Sequence, residues 1–196
     1  LSLAHQVFDV NGQVVVRDSA ALPVAEPSIE PFAFCCVADS QYIPFFFALV
    51  ENLRAVHTGP LEIHLLAVDD DAERAARTLY PGSELHVYRM SDVWTEAEWA
   101  RVGARPISLQ ALTSKARIFL EARRRSTAEA VFLLDLDMYF FRSPARLNRA
   151  FGDNHTMFFP QWSDRFTWAR LHGIFNSGMI CSRKVSEAFL SWWSRA

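Results

Sequence analysis

The chain has 196 residues, 51% of them hydrophobic, with 16 Phe and a formal net charge of −2. That apolar mass is enough for one sizeable core, and the length favours one main domain. The balanced charge, with no dominant basic face, gives no reason for nucleic-acid binding, and no apolar stretch reaches the roughly 20 residues needed to span a bilayer.

In chain order, residues 6–10 and 13–17 flank Asn11-Gly12, the strongest short hairpin signal, and Pro23 and Pro27 then mark an irregular connection. Residues 1–30 therefore read as a β-hairpin appendage with a linker, and 31–196 as the main domain. Residues 32–38 form a first buried strand, and 44–56 a helix with Pro44 in its first turn. A strand at 61–68, an Ala- and Arg-rich helix at 71–80 and a short strand at 84–88 follow. This βαβαβ rhythm predicts an α/β domain: a mostly parallel, Rossmann-like sheet with helices on both faces.

Residues 91–104 are polar and read as helical in part. Residues 107–125 predict a long helix, with Leu109, Leu112, Ala116 and Phe119 in one apolar stripe and Arg123, Arg124 and Arg125 at a solvated end that suits the helix dipole. Further on, 156–159 and 178–182 read as strands, 163–173 as an aromatic-rich loop and 186–193 as an amphipathic helix. Cys35 and Cys36 are adjacent in a strand and so point to opposite faces. With Cys181 they read as reduced core thiols, which suggests a reducing compartment. With no signal-peptide pattern, the expected location is cytoplasmic.

The chemistry concentrates where the apolar run Val131-Phe132-Leu133-Leu134 meets Asp135-Leu136-Asp137. Such a run predicts a strand buried on both faces, and its carboxyl end is where open α/β sheets bind ligands. Residues i and i+2 of a strand project to one side, so both carboxylates face the same crevice. Two like charges about 5 Å apart repel by roughly 3 kcal/mol at an effective dielectric near 20. Mg²⁺ or Mn²⁺ would offset that repulsion and would bring phosphate oxygens as further ligands, pointing to a nucleotide diphosphate or nucleotide sugar. Two acids that merely end a strand at the surface are the plainer alternative.

Three other patterns bear on such a site. Asp39 and Tyr42 follow the first strand, where an acid and an aromatic can hold a base by its edge and face; Asp39 can equally cap the next helix. Lys115 and Arg117 flank the apolar stripe of the long helix, able to reach the acidic strand end or to extend into water. Asn176 and Gly178 precede an apolar run, where the amide can serve a sugar hydroxyl and the glycine a close backbone approach, or both can make an ordinary turn. Phe158, Phe159, Trp162, Phe166 and Trp168 crowd the intervening stretch, and Trp162 or Trp168 is the candidate for an acceptor surface. None of the six histidines has a convincing ligand spacing.

Together, in order and spacing, these residues resemble the GT-A glycosyltransferases, most closely the retaining family 8 type. The resemblance covers about residues 32–193. It implies a nucleotide-sugar-binding GT-A domain in which Asp39 and Tyr42 contact the nucleoside, and Ser114-Lys115-Ala116-Arg117 contacts the donor phosphates and sugar. It further implies that Asp135 and Asp137 bind Mn²⁺ (or Mg²⁺) and the donor, and that Asn176 and Gly178 line the donor sugar. The implied activity is metal-dependent, hexosyltransferase-like transfer from a UDP-linked sugar to a hydroxyl of a sugar, glycan or protein. Members of that family continue well past these motifs to supply a third metal ligand, often His, so the resemblance implies a domain lacking its C-terminal part. Two alternatives stand beside it. One is a non-catalytic nucleotide-sugar-binding or scaffold protein of the same fold. The other is a sugar nucleotidyltransferase, disfavoured because residues 35–50 contain no Gly for a phosphate loop.

Overall fold

Seven residues with hardly a polar atom among their side chains, Phe32–Ala38, can be stable as a strand only where both faces are covered, and they lie in the interior of the main sheet. The computed structural model describes residues 6–8, 14–16, 30–147, 156–160, 175–183 and 187–195; of 6–8, 14–16, 146, 156–160 and 175–178 it describes the backbone alone. The elements are β1 (Gln6–Phe8), β2 (Val14–Val16), β3 (Phe32–Ala38), α1 (Ile43–Val56), β4 (Leu61–Ala67), α2 (Asp70–Leu79) and β5 (Leu85–Tyr88). They continue with α3 (Met90–Val93), α4 (Glu96–Val102), α5 (Ile107–Arg125), β6 (Ala130–Leu134), a 3₁₀ turn (Pro144–Arg146), β7 (Thr156–Pro160), β8 (Phe175–Arg183) and α6 (Glu187–Trp193).

β1 and β2 pair antiparallel as a separate two-stranded ribbon, with Phe8 opposite Val14. The six-stranded sheet has the order β5-β4-β3-β6-β8-β7. Its first four strands are parallel, and β8 and β7 add an antiparallel edge. The chain therefore moves outward from β3 through β4 to β5 and then returns to the other side of β3 to lay down β6. That reversal leaves a crevice between the carboxyl ends of β3 and β6, the switch point at which open α/β sheets bind ligands.

Side-chain alternation distributes β3 between two cores. Phe34 and Cys36 face Phe46, Leu49 and Leu53 of α1 together with Phe132, while Ala33 and Cys35 face Ile118 and Phe119 of α5, Leu133 and Leu190 of α6. The three cysteines are free and buried, as expected. Among the described residues no helix is long and apolar enough to cross a membrane.

α5 departs from its sequence reading at both ends. Its buried face runs through Ser114, Ala116, Ile118, Phe119 and Ala122, leaving Leu109 45% and Leu112 54% exposed. At the other end Arg123 is only 2% exposed, not solvated. Its guanidinium donates to the carbonyls of Ser126 (3.1 Å) and Glu129 (3.2 Å) and also to that of Ala128, closing the turn into β6. Carbonyls left open after a helix end need donors, and a planar guanidinium supplies several at once. Arg124 and Arg125 remain at the surface, paired with Glu187 and Glu121.

Candidate active site

β3 and β6 lie side by side with Ala33 opposite Val131 and Cys35 opposite Leu133. Continued past β6, the same register sets Val37 abreast of Asp135 and Asp39 abreast of Asp137. The apolar runs that bury both strands end together, and their first polar residues open into one cleft of about 320 Å³. Val37, Asp39, Asp135, Leu136 and Asp137 form its floor. Tyr42 and Phe45 at the start of α1 make one wall, and Ser108, Ala111, Leu112 and Lys115 of α5 make the other. The α5 set is spaced i, i+3, i+4, i+7, one helix face, which is why Leu112 is exposed there. A volume of this order, mostly apolar with a few convergent charges, suits a small ligand.

Asp39 shapes the entrance to α1. Its Oδ1 accepts from the backbone N–H groups of Gln41 (2.9 Å) and Tyr42 (3.0 Å), so it braces the turn before the helix and does not cap the helix itself, whose N-cap residue is Tyr42. The neighbouring Ser40 N–H donates to Asp69 (2.9 Å), whose other oxygen caps α2 through Ala72 N–H (2.8 Å). Burial would raise the Asp69 pKa, but these hydrogen bonds outweigh it and hold the carboxyl below its ordinary value. Tyr42 is 55% and Phe45 50% exposed, their ring centroids 5.7 Å apart, so two aromatic faces are presented at the cleft rather than packed away.

Lys115 and Arg117 part company. The Lys115 ammonium lies against Asp135 Oδ1 in a contact that is partly buried on both sides. Arg117 points to the far side of α5. It grips both Glu98 oxygens (2.6 and 2.9 Å), donates to the carbonyls of Ser194 (3.0 Å) and Val93 (3.4 Å), and lies 4.1 Å over the Trp94 ring. The donor contact expected of Arg117 thus has no basis in its position, since two residues along a helix turn a side chain by roughly 200°. Asp137 is exposed at the cleft and has no ion-pair partner among the described residues.

β8 runs antiparallel to β6 with Met179 opposite Leu134, so the residues before Met179 extend past the point where Asp135 begins. The strand thus begins earlier than 178 and includes Asn176 as well as Gly178, both at the same end of the sheet as the two aspartates. Between Phe158 and Phe159 the β7–β8 register shifts, and Ser177, Gly178 and Met179 fall within that irregularity. Such a bulge next to a site is where glycine is of use. Trp162 and Trp168 lie outside the described residues, as do His155 and His172.

Phe45, Ser108, Ala111 and Leu112 line the cleft without having been expected there. The helical spacing of the last three with Lys115 was a usable signal, obscured because Leu112 also fits the apolar stripe. Asn52, which anchors the segment after Asp137 to α1, was not expected either.

No family model matches the sequence, and no curated protein matches it. Solved structures do. An active-site mutant of LgtC superposes with a TM-score of 0.56 at 16% identity, covering 84% of this chain and 60% of that one. The galactosyltransferase LgtC in complex with donor and acceptor sugar analogues gives 0.53 at 16%, with the same coverage. The bifunctional glycosyltransferase WbbM gives 0.53 at 14%, over 88% of this chain and 34% of that one. The chain has the GT-A glycosyltransferase fold. It spans about three fifths of the length of LgtC. At these identities the likeness concerns the fold, and the chemistry has to be argued from the cleft.

Proposed function

We propose that the chain is the nucleotide-sugar-binding part of a metal-dependent glycosyltransferase, using a UDP-linked sugar and acting on an acceptor hydroxyl in the retaining manner of family 8. The supporting observation is the convergence of Asp39, Tyr42, Lys115, Asp135 and Asp137, from three separate chain segments, on one cleft at the switch point of the sheet. Residues 31–196 would form that domain, with 1–30 as an appendage.

Among the described residues no group of three or more His, Cys, Asp or Glu could hold a metal unaided. Two carboxylates and no softer ligand suit a hard cation such as Mn²⁺ or Mg²⁺ whose shell is completed by phosphate oxygens. Asp135 and Asp137 would hold it. When bound, such a cation supplies neutralisation of the charge that grows on a departing diphosphate.

The chain's own groups divide the remaining work. Tyr42 offers a flat face to a base, with Phe45 beside it. Asp39, its Oδ1 fixed by two backbone amides, keeps its second oxygen for an N–H of the base or a ribose hydroxyl. Lys115 supplies a positive charge for the diphosphate, and the apolar side chains of Ala111 and Leu112 keep water from that wall. Asn176 and Gly178, past the end of β6, would border the donor sugar. Trp162 or Trp168 would belong to the acceptor side. No side chain is assigned as nucleophile; positioning and electrostatics would carry the transfer.

The deciding experiment is metal-dependent hydrolysis of a panel of sugar nucleotides by the wild-type chain and by Asp137→Asn. Turnover of a UDP-sugar that needs Mn²⁺ or Mg²⁺ and is lost in the variant supports the reading. Nucleotide binding without turnover would favour a non-catalytic binding protein of the same fold.

A further inference from the structure

Lys115 and Asp135 make their ion pair inside the cleft, and the pair is not an ordinary surface contact. The lysine side chain is 18% and the carboxylate 31% exposed, so both have given up much of their hydration to meet. Asp135 is the only carboxylate within ion-pair distance of Lys115 among the described residues, and Asp137 has no such partner. The two carboxylates proposed to share one cation are therefore not equivalent: one is already neutralised and the other is not.

We propose that Lys115 is a placeholder for the cation, and that its transfer from Asp135 to the diphosphate makes metal and nucleotide bind together. The inference rests on reading the cleft as a nucleotide-diphosphate site. A divalent ion entering alone would find Asp135 Oδ1 held by the ammonium and, even on the other oxygen, would sit beside that like charge. A diphosphate entering alone would meet Lys115 still engaged and three carboxylates, Asp39, Asp135 and Asp137, lining the same floor. Entering together, each removes the other's obstacle, because the phosphate oxygens give the ammonium a new partner and the cation takes over Asp135.

A lysine suits this role better than an arginine would. Its charge is compact and sits on a flexible four-carbon stem, so it changes partner by rotating side-chain bonds, whereas a guanidinium tends to lock onto a carboxylate through two hydrogen bonds. Arg117, two residues on and held by both Glu98 oxygens, is an example of that locked state in this chain. Thermodynamic linkage then requires that UDP raise the metal affinity by the same factor as the metal raises the UDP affinity.

The test measures Mn²⁺ binding by electron paramagnetic resonance of the free ion, with and without saturating UDP, in the wild type and in Lys115→Met. In the wild type, Mn²⁺ alone should bind weakly and UDP should strengthen it by tenfold or more, within the range of about 5- to 150-fold usual for coupled sites. In Lys115→Met, Mn²⁺ alone should bind more tightly than in the wild type, UDP alone more weakly, and the strengthening by UDP should shrink by about tenfold. Lys115→Gln, which removes the charge but keeps a hydrogen-bond donor, repeats the comparison if the methionine variant does not fold. Equal or weaker binding of Mn²⁺ alone in the folded variant overturns the placeholder role. UDP bound by both proteins with an unchanged coupling factor overturns the exchange while leaving the nucleotide reading intact. UDP bound by neither, with or without Mn²⁺, overturns the nucleotide reading and the coupling with it.

Discussion

Asn52 holds the backbone of Phe140 in both directions: its Nδ2 donates to the Phe140 carbonyl (2.9 Å) and its Oδ1 accepts the Phe140 N–H (2.7 Å). Asn52 is a buried residue of α1, and Phe140 comes three residues after Asp137. A second tie follows at once, where His57 Nδ1 and Ser143 Oγ lie 2.8 Å apart. The chain leaving β6 is therefore bound to the first helix, and the exit direction of the Asp137 segment is set by α1. This pairing is a side-chain copy of a strand ladder, and an amide is the side chain that can supply both halves of it.

Asn52→Ala should leave the Phe140 N–H and carbonyl without their partner and lower stability by about 1–3 kcal/mol. Urea unfolding measures that loss. If the tie positions the cation site, Asn52→Ala should also weaken UDP-dependent Mn²⁺ binding under conditions where the protein is fully folded. A loss of stability with unchanged metal affinity would make Asn52 structural alone.

Tyr42→Ala should weaken binding of free UDP and of UDP-sugars by similar factors, because a stacked base is common to all of them and is worth roughly 1–3 kcal/mol. Titration calorimetry with UDP and two UDP-sugars reads this directly. A loss confined to one sugar donor, with UDP affinity preserved, would take Tyr42 out of the nucleoside site.

The fold was legible because each of its signals is local. Unbroken apolar runs marked β3 and β6, Asn-Gly marked the first hairpin, and the alternation of strands and helices dictated a parallel sheet. The shared cleft was legible in part for the same reason: Asp39, Asp135 and Asp137 are the first charges after two buried strands, and adjacent parallel strands that end together bring such charges together. What failed depended on direction around a helix axis. Lys115 and Arg117 look equivalent beside an apolar stripe, yet one faces the cleft and the other faces Glu98. Leu112 scores as core because it is apolar, although its helix face is the wall of a cleft. Arg123 scores as surface because it is charged, although the turn after α5 has carbonyls that require it. Asn52 gave no sequence signal, because its partner is backbone 88 residues away.

Arg117→Ala should destabilise the protein while leaving UDP affinity unchanged, opposite to what a donor-binding arginine would give. Hydrogen bonding to Arg117 is the largest cause holding the Glu98 carboxyl down at about 2, against an ordinary value of 4.5. A depressed carboxylate pKa stabilises the folded state above the unfolded value, and that contribution is lost as pH falls from about 4.5 toward 2. Stability of the wild type should therefore drop more steeply over this window than that of Arg117→Ala. Weakened UDP binding in the folded variant would return Arg117 to the site.

His64 provides a second pH dependence, at milder acidity and away from the cleft. Its ring is fully buried between β-strand neighbours, with Nε2 3.0 Å from Glu62 Oε1, Nδ1 2.8 Å from the Tyr88 hydroxyl, and the His86 ring stacked at 4.9 Å. This suits a neutral imidazole that donates from Nε2 to Glu62 and accepts from Tyr88 at Nδ1. Burial is the largest influence on its pKa. Glu62 opposes it, His86 and Arg125 reinforce it, and the result is a value pushed down to about 4 from 6.5. The unfolded chain takes up a proton near 6.5 and the folded chain only near 4, so the unfolded state binds more protons in between. Stability is then fully present above about 6.5, declines as pH falls through that window and levels off below it, by up to about 3 kcal/mol. Urea unfolding of the wild type and of His64→Phe at pH 7, 6, 5 and 4 should show a steeper decline in the wild type. Parallel declines in the two proteins would exclude His64 as the source.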